Sequence, residues 1–293
     1  MHSFIIGLGE LLWDIFPNVR KIGGAPANFA YHTAQFGLNS MVVSAIGKDE
    51  LGKEIIELFN DNNINSIIEQ NDFPTGTVYI KISGSGIPSY TITENSAWDN
   101  IEFNDGLREI ASQTKMVCFG SLAQRNKKSR DSIIAFLEAM QEDDEVYKVF
   151  DINLRQDFYT KEIIENSFKH CNILKINDEE IEIVNKMFDL RMDSFEDFSS
   201  KIMNLYQIKI IIITCGEKGS YVFAENHESY IETPKVIIED TVGAGDSFTA
   251  AFCASILNDK SLYEAHKNAV KYAAFICTQA GAMPVIPEDI KQL

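Results

Sequence analysis

The sequence has little that would bring it to nucleic acid or to a membrane. Its 293 residues carry 26 Lys plus Arg against 43 Asp plus Glu, a formal net charge of −17. Neither a polyanion nor an anionic bilayer is a fitting partner for such a surface. No apolar run approaches the length that a membrane-spanning helix needs. The N-terminal MHSFIIGLGELLWD lacks a basic start, and Gly7, Gly9 and Glu10 break its apolar stretch, so it reads as a first strand and not as a signal peptide. The five cysteines, Cys118, Cys171, Cys215, Cys253 and Cys277, include no Cys-x-x-Cys pair. Several lie in apolar runs such as MVCFG and AAFCASIL, which fits buried free thiols in a reducing compartment. The five histidines show neither metal-ligand spacing nor pairing with a candidate nucleophile. The expectation is a cytoplasmic protein that handles small molecules.

What is present is ordinary for a globular α/β chain: 45% hydrophobic and 24% charged residues, enough to bury one large core. Short Val/Ile-rich runs read as buried strands: SFIIGLG (3–9), SMVVSAIG (40–47), KMVCFGS (115–121), VYKVFDIN (146–153), CNILKIN (171–177) and IKIIIITCG (208–216). Between them, helical spacing appears over residues 27–36, 50–62, 129–141, 161–170, 178–187 and 195–206. That alternation predicts a mostly parallel central sheet covered by helices on both faces, an α/β three-layer sandwich. Ligands in such folds bind at the carboxyl ends of the strands. One stretch departs from the pattern. TGTVYIKISGSGIPSYTITENSAWD alternates Val78, Ile80 and Ile82 with Thr77, Tyr79 and Lys81, the period of a half-exposed strand. A second strand, SYTITE, follows SGSGIPS. The reading is one domain over residues 1–293 with an inserted β-sheet lid, made of about 11–21 and 75–98.

Three loops carry candidate chemistry. In EDTVGAGDSFTAAFCASIL, helical spacing begins at Asp246, so Gly243, Ala244 and Gly245 stand at a helix N-terminus. Helix starts leave N–H groups unpaired, and the macrodipole adds positive potential. With no side chain larger than a methyl, a phosphate can approach those amides. Asp246 then either caps the helix or stands beside an attacking oxygen as proton acceptor. In KIGGAPANFAYHTAQFG, Pro26 suits the first helical position and Asn28 presents an amide toward the strand ends, as a polyol contact or as a surface residue. In ILKINDEEIEIV, Asn177 and Glu180 form a helix cap with its reciprocal glutamate, and they also suit water-mediated Mg²⁺. Asp14 follows the first strand. Arg155, in FDINLRQDFY, is a candidate phosphate contact in an acidic protein. Thr214, Gly216 and Gly219 lie in a strand–turn–strand that could run along a nucleotide. GLGELL is no dinucleotide fingerprint, because Leu12 stands at the third glycine position.

Together these motifs resemble the ribokinase-like (PfkB-type) carbohydrate kinase family. DTVGAGDSF matches the family's C-terminal motif, GGAPANFA is similar to its N-terminal glycine motif as found in fructokinases, and NDEE fits its Asn-x-x-Glu element. SAWDN, FGSLAQR and FDINLRQDFY also resemble bacterial fructokinases, so the likeness runs from Phe4 to about Pro287. The resemblance implies Asp246 as catalytic base with Gly243, Ala244 and Gly245 as the anion hole. It implies Asp14, Gly24 and Asn28 on sugar hydroxyls, with Gln124 and Arg125 where relatives touch substrate. Asn177 and Glu180 would organise Mg²⁺, Thr214, Gly216 and Gly219 would line the ATP site, and Arg155 would contact phosphate. Many relatives bind a monovalent cation, K⁺, near the anion hole. Asp240 and the loop CTQAGAMPVIP (277–287) match that site, with Val285 where some relatives offer a hydroxyl. The implied activity is ATP-dependent phosphorylation of D-fructose at its 6-hydroxyl. The alternatives are another small acceptor (2-keto-3-deoxygluconate, ribose or a nucleoside) or a catalytically silent sensor of sugar or nucleotide. Exposed hairpin strands would also allow a homodimer through the lid.

Overall fold

The computed structural model of the chain describes residues 3–82, 88–288, 290 and 291. In chain order the elements are β1 (Phe4–Leu8), β2 (Leu12–Ile15), β3 (Arg20–Gly23), α1 (Ala25–Gln35), β4 (Ser40–Gly47), α2 (Glu50–Asp61), β5 (Ser66–Asn71), β6 (Gly76–Ile82) and β7 (Pro88–Ile92). They continue with α3 (Asp105–Ser112), β8 (Thr114–Phe119), α4 (Lys127–Ala139), β9 (Tyr147–Asp151), α5 (Lys161–His170), β10 (Ile173–Asn177), α6 (Asp178–Phe188) and α7 (Phe195–Tyr206). The last are β11 (Ile210–Thr214), β12 (Ser220–Ala224), β13 (His227–Ile231), α8 (Ala244–Leu257) and α9 (Leu262–Ile276). The expected turn of the lid hairpin, residues 83–87, lies outside the described residues.

Nine strands form one sheet in the order β13-β12-β11-β10-β9-β8-β1-β4-β5. Every pairing from β11 to β5 is parallel, and β12 and β13 close one edge antiparallel. Alternation along the strands decides which layer each side chain meets. Ile6, Leu8, Val117, Phe119, Leu174 and Ile176 join one core with α3 to α7, and Ile5, Met116, Cys118, Val149 and Ile173 join the other with α1, α8 and α9. Helix α8 is apolar on all sides, with Ala250, Ala251, Phe252 and Ala254 fully buried, as a helix between the sheet and a further helix must be. A second sheet, β3-β2-β6-β7, stands apart from the first, where the sequence predicted the lid. Among the described residues no helix is long and apolar enough to cross a membrane.

Two close approaches set the position of α1. A Cβ at Gly7 in β1 would lie 2.0 Å from the Pro26 carbonyl oxygen, and one at Gly24 would lie 2.4 Å from the Glu10 carbonyl oxygen. Gly24 also adopts φ +119°, a conformation that side chains avoid. Helix α1 therefore rests directly on the end of β1. Gly7→Ala is expected to push the helix off the strand and cost about 1–3 kcal/mol by overpacking. A calorimetric melt at the wild-type Tm would contradict this packing.

Candidate active site

The loop before α8 is built as an anion cradle. Gly243 caps the helix in a left-handed conformation, φ +78°, and a Cβ there would lie 2.8 Å from Ala282 Cβ. The Ala244 amide makes a 3.3 Å turn bond to the Thr241 carbonyl, and the Ser247 amide donates to the Gly243 carbonyl at 2.8 Å. Among the described residues the amides of Gly243, Gly245 and Asp246 find no acceptor. Unpaired amides at the start of a 14-residue helix are strong anion donors.

Asp246 is the third residue of that helix, so the cap is Gly243, and the aspartate's carboxylate is left for other work. It is half-buried and accepts a 2.7 Å hydrogen bond from Asn28 Nδ2 in α1. Burial first, and then the nearby Asp151, push its pKa up to about 6, while Asn28, Lys175 and Arg155 hold it down. At neutral pH such a carboxylate is ionised and more basic than a free aspartate, which suits proton abstraction.

Beneath the cradle lies a buried ion pair that the sequence reading did not single out. Asp151 ends β9, and Lys175 sits opposite it in β10. Both side chains turn to the α8 face by the strand alternation noted above. Lys175 Nζ lies 3.1 Å from Asp151 Oδ1, and the Thr249 hydroxyl of α8 donates to Asp151 Oδ2 at 3.1 Å. A Cβ on Gly245 would lie 3.2 Å from Lys175 Nζ, so the glycine leaves the helix in close approach to this ammonium. Burial opposes the charge on Lys175, but Asp151, Glu180 and Asp246 together hold its pKa above the usual lysine value.

On the α1 side of Asp246, Asn28 is buried and its Oδ1 has no partner among the described residues. Asp14, on β2 of the small sheet, is half-buried, and burial raises its pKa to about 6 against Arg155 and Lys21. Glu10, just past β1, was not expected here. It is buried, its Oε2 has no partner among the described residues, and its pKa is raised to about 7 by burial, with Asp246 adding and Arg155 subtracting. Its signal in the sequence was a carboxylate inside an otherwise apolar strand end.

At the start of α6, Asn177 and Glu180 form the predicted capping box. The Asn177 side chain accepts from the Glu180 amide at 2.8 Å, and Glu180 Oε2 accepts from the Asn177 amide at 2.9 Å. Glu180 Oε1 accepts from the Leu154 amide at 2.9 Å, which ties α6 to the loop after β9. Burial raises the Glu180 pKa in spite of Lys175. Arg155 is exposed on that same loop. Thr214 ends β11, and Gly216 and Gly219 frame a short 3₁₀ turn with φ +55° and +137° before β12. Asp240 lies at the foot of the anion loop, where its carboxylate accepts from the Val242 and Gly281 amides.

Of the pair Gln124 and Arg125, Gln124 is fully buried and spends its amide N–H groups on the Gly120 carbonyl and the Ser167 hydroxyl, inside the packing of α5, while its Oε1 has no partner among the described residues. Its neighbour Arg125 is sandwiched between Trp98 and Phe158 and forks onto Asp99, at 2.7 Å from both carboxylate oxygens, and one donor, Nη1, is left unpaired. The same guanidinium donates to the Thr93 carbonyl just past β7, which pins the base of the small sheet.

The free amides opening α8, the raised-pKa aspartate in its first turn and the Gly23-Gly24 turn that leads into α1 together suit phosphoryl transfer. The family model for pfkB family carbohydrate kinases matches residues 14–289, and the chain belongs to that family. It is 28% identical to an uncharacterized sugar kinase of Pyrococcus horikoshii over 89% of this chain and 85% of that one, whose structure superposes with a TM-score of 0.80. It is 26% identical to Probable fructokinase-3 of Arabidopsis thaliana, over 99% of this chain and 90% of that one. A Vibrio cholerae fructokinase structure with fructose, ADP and potassium ion bound matches at a TM-score of 0.78 and 24% identity, covering 98% and 96%. The fold is ribokinase-like, and the chain is a phosphotransferase acting on a sugar hydroxyl.

Glu10 supplies a stability test of the site's electrostatics. Its folded pKa of about 7 lies above the ordinary glutamate value of 4.5, so folding favours its protonated form. Stability is then lost as pH rises from 4.5 through 7. Glu10→Gln should raise the Tm at pH 8 and change it little at pH 5. An equal change at both values would contradict the burial of an ionisable carboxyl there.

Proposed function

We propose that this sugar kinase transfers the γ-phosphoryl group of ATP to the 6-hydroxyl of D-fructose, with Asp246 as the base. The observation that carries this reading is the half-buried carboxylate of Asp246, held by Asn28 beside two unpaired helix amides. The Asn28 Oδ1, the Asp14 carboxylate and the backbone at Gly24 receive the sugar hydroxyls, and Arg125 Nη1 offers one further donor. With the sugar seated, Asp246 takes the proton of the attacking hydroxyl. The amides of Gly243, Gly245 and Asp246, with the α8 dipole behind them, hold the charge that develops on the moving phosphoryl group. Lys175, under Gly245, adds fixed positive potential in a cleft otherwise crowded with carboxylates. Arg155 reaches the phosphates from the loop after β9, and Thr214, Gly216 and Gly219 lie along the nucleotide.

The residues present suit a divalent ion held at one remove. Among the described residues no group of three or more His, Cys, Asp or Glu side chains is placed to hold a metal. Both Glu180 oxygens already accept backbone amides, so Asn177 and Glu180 would organise the waters of a bound Mg²⁺, which keeps several of its waters. Such an ion would supply neutralisation of phosphate charge. The small sheet acts as a lid over the sugar. It touches the main body through Gln156 on the Tyr90 carbonyl, 2.8 Å, and Arg125 on the Thr93 carbonyl. Its exposed Tyr79 and Tyr90 suit pairing with a second copy of the chain.

Asp246→Asn should lower kcat by about 10²–10⁴-fold with little change in fructose KM, as loss of a general base does. A coupled ADP assay over a panel of sugars measures this and tests the acceptor. Equal rates on fructose and on a furanose without a free 6-hydroxyl would overturn the fructose assignment. In the wild type, kcat/KM should fall as pH drops through about 6, where Asp246 becomes protonated. Asn28→Ala, which removes the hydrogen bond that favours the charged form, should move that limb upward. A profile flat from pH 5 to 8 would contradict the assignment of the base.

A further inference from the structure

The Vibrio cholerae structure holds a potassium ion, and the sequence resemblance implies a monovalent-cation site at Asp240 and the loop over residues 277–287. In this chain that corner is filled by the protein itself. Lys21, on β3 of the small sheet, places Nζ 3.7 Å from Asp240 Oδ2. The same Nζ lies 3.6 Å from where a Cβ on Gly281 would be. Each oxygen of the Asp240 carboxylate also has a backbone donor: Val242 on Oδ1 at 3.0 Å and Gly281 on Oδ2 at 3.1 Å. The ammonium completes the set.

Three carbonyls of the 277–287 loop also carry hydrogen bonds within the protein. A potassium ion exchanges its water shell for several oxygen ligands at once. The Cys277 carbonyl accepts from the Glu239 amide at 2.9 Å, and the Pro284 carbonyl accepts from Gln35 Nε2 at 3.0 Å. The Ala282 carbonyl lies 2.8 Å from His32 Nε2. His32 is buried, and burial lowers its pKa to about 4, so the ring is neutral. A carbonyl can only accept, so Nε2 carries the proton, and Nδ1 accepts from the Tyr272 hydroxyl at 3.0 Å. Val285, exposed, has no side-chain oxygen to offer.

We propose that the Lys21 ammonium takes the place of a monovalent cation beside the anion loop, so that this kinase works without potassium. The proposal rests on the kinase reading above and makes Lys21 a positioning residue. Its path to the phosphate site is short. Lys21 balances Asp240, Asp240 holds the Gly281 amide, and the adjoining Ala282 packs against Gly243, the left-handed cap whose turn exposes the amides of α8. An unbalanced Asp240 would face an incoming triphosphate with like charge. Because Lys21 belongs to the small sheet, the counter-charge is delivered by the same element that covers the sugar.

The test compares KCl with tetramethylammonium chloride at equal ionic strength. Wild-type kcat should agree between the two within about twofold, while Lys21→Ala should lose about tenfold or more in tetramethylammonium, the usual scale of coupling between sites. KCl or methylammonium chloride should restore most of that loss, which a merely unfolded or misaligned variant would not allow. Potassium should raise the Tm of Lys21→Ala and leave that of the wild type unchanged, because only an open site binds the ion. Strong potassium activation of the wild type, an unimpaired Lys21→Ala, or a loss that no small cation repairs would each overturn the proposal. The melting measurement needs no turnover, so it decides the cation question even where the fructose assignment fails.

Discussion

The hydrogen bond from Asn28 Nδ2 to Asp246 Oδ2 joins the first turns of two helices from opposite ends of the chain. It can form only because both helices are brought to the carboxyl ends of the parallel strands at close range. Helix α1 comes down on β1 because Gly7 leaves room for the Pro26 carbonyl, and α8 passes close over Lys175 at Gly245. The bond then aligns the amide that would receive the sugar with the carboxylate that would receive its proton. Geometry of this kind is set by backbone packing, and the side chains inherit it.

The second constraint is electrostatic. A chain with net charge −17 places Asp246, Asp151, Glu180, Glu10 and Asp14 around the site, and yet the site must accept a polyanion. The structure answers with local positive potential and not with overall charge: the α8 amides, Lys175 beneath them, Lys21 against Asp240, and Arg155 at the rim. Burial matters to the same balance. It keeps Asp246 basic and Glu10 hard to ionise at neutral pH, so the carboxyl groups need not all be charged together.

Much of this was legible in the sequence. The six Val/Ile-rich runs became strands, the six helical patterns became helices within about two residues at most ends, and the odd alternation over residues 77–82 marked the separate sheet. The glycine loops and the Asn177–Glu180 box declared themselves because each needs a special residue at a fixed position. Other features had weaker signals. β5 is half-buried along its length and shows no alternation, and α3 is short. α9 was missed although Ser261 and Glu264 form a capping box at its start. The direction of Gln124 depended on the rotation of a single 3₁₀ turn, which no period reveals. Lys175 stood out only as one charge in an apolar strand. Lys21 and Asp240 meet through the tertiary fold alone.

The central claim is that the amides opening α8 hold the transferring phosphoryl group while Asp246 faces the acceptor hydroxyl. A crystal structure with fructose, ADP, Mg²⁺ and aluminium fluoride tests it most directly. The account predicts the fluoroaluminate within hydrogen-bond reach of the Gly245 and Asp246 amides, with the sugar's 6-hydroxyl between it and the Asp246 carboxylate. A fluoroaluminate bound away from α8, or a sugar that turns another face to Asp246, would contradict it.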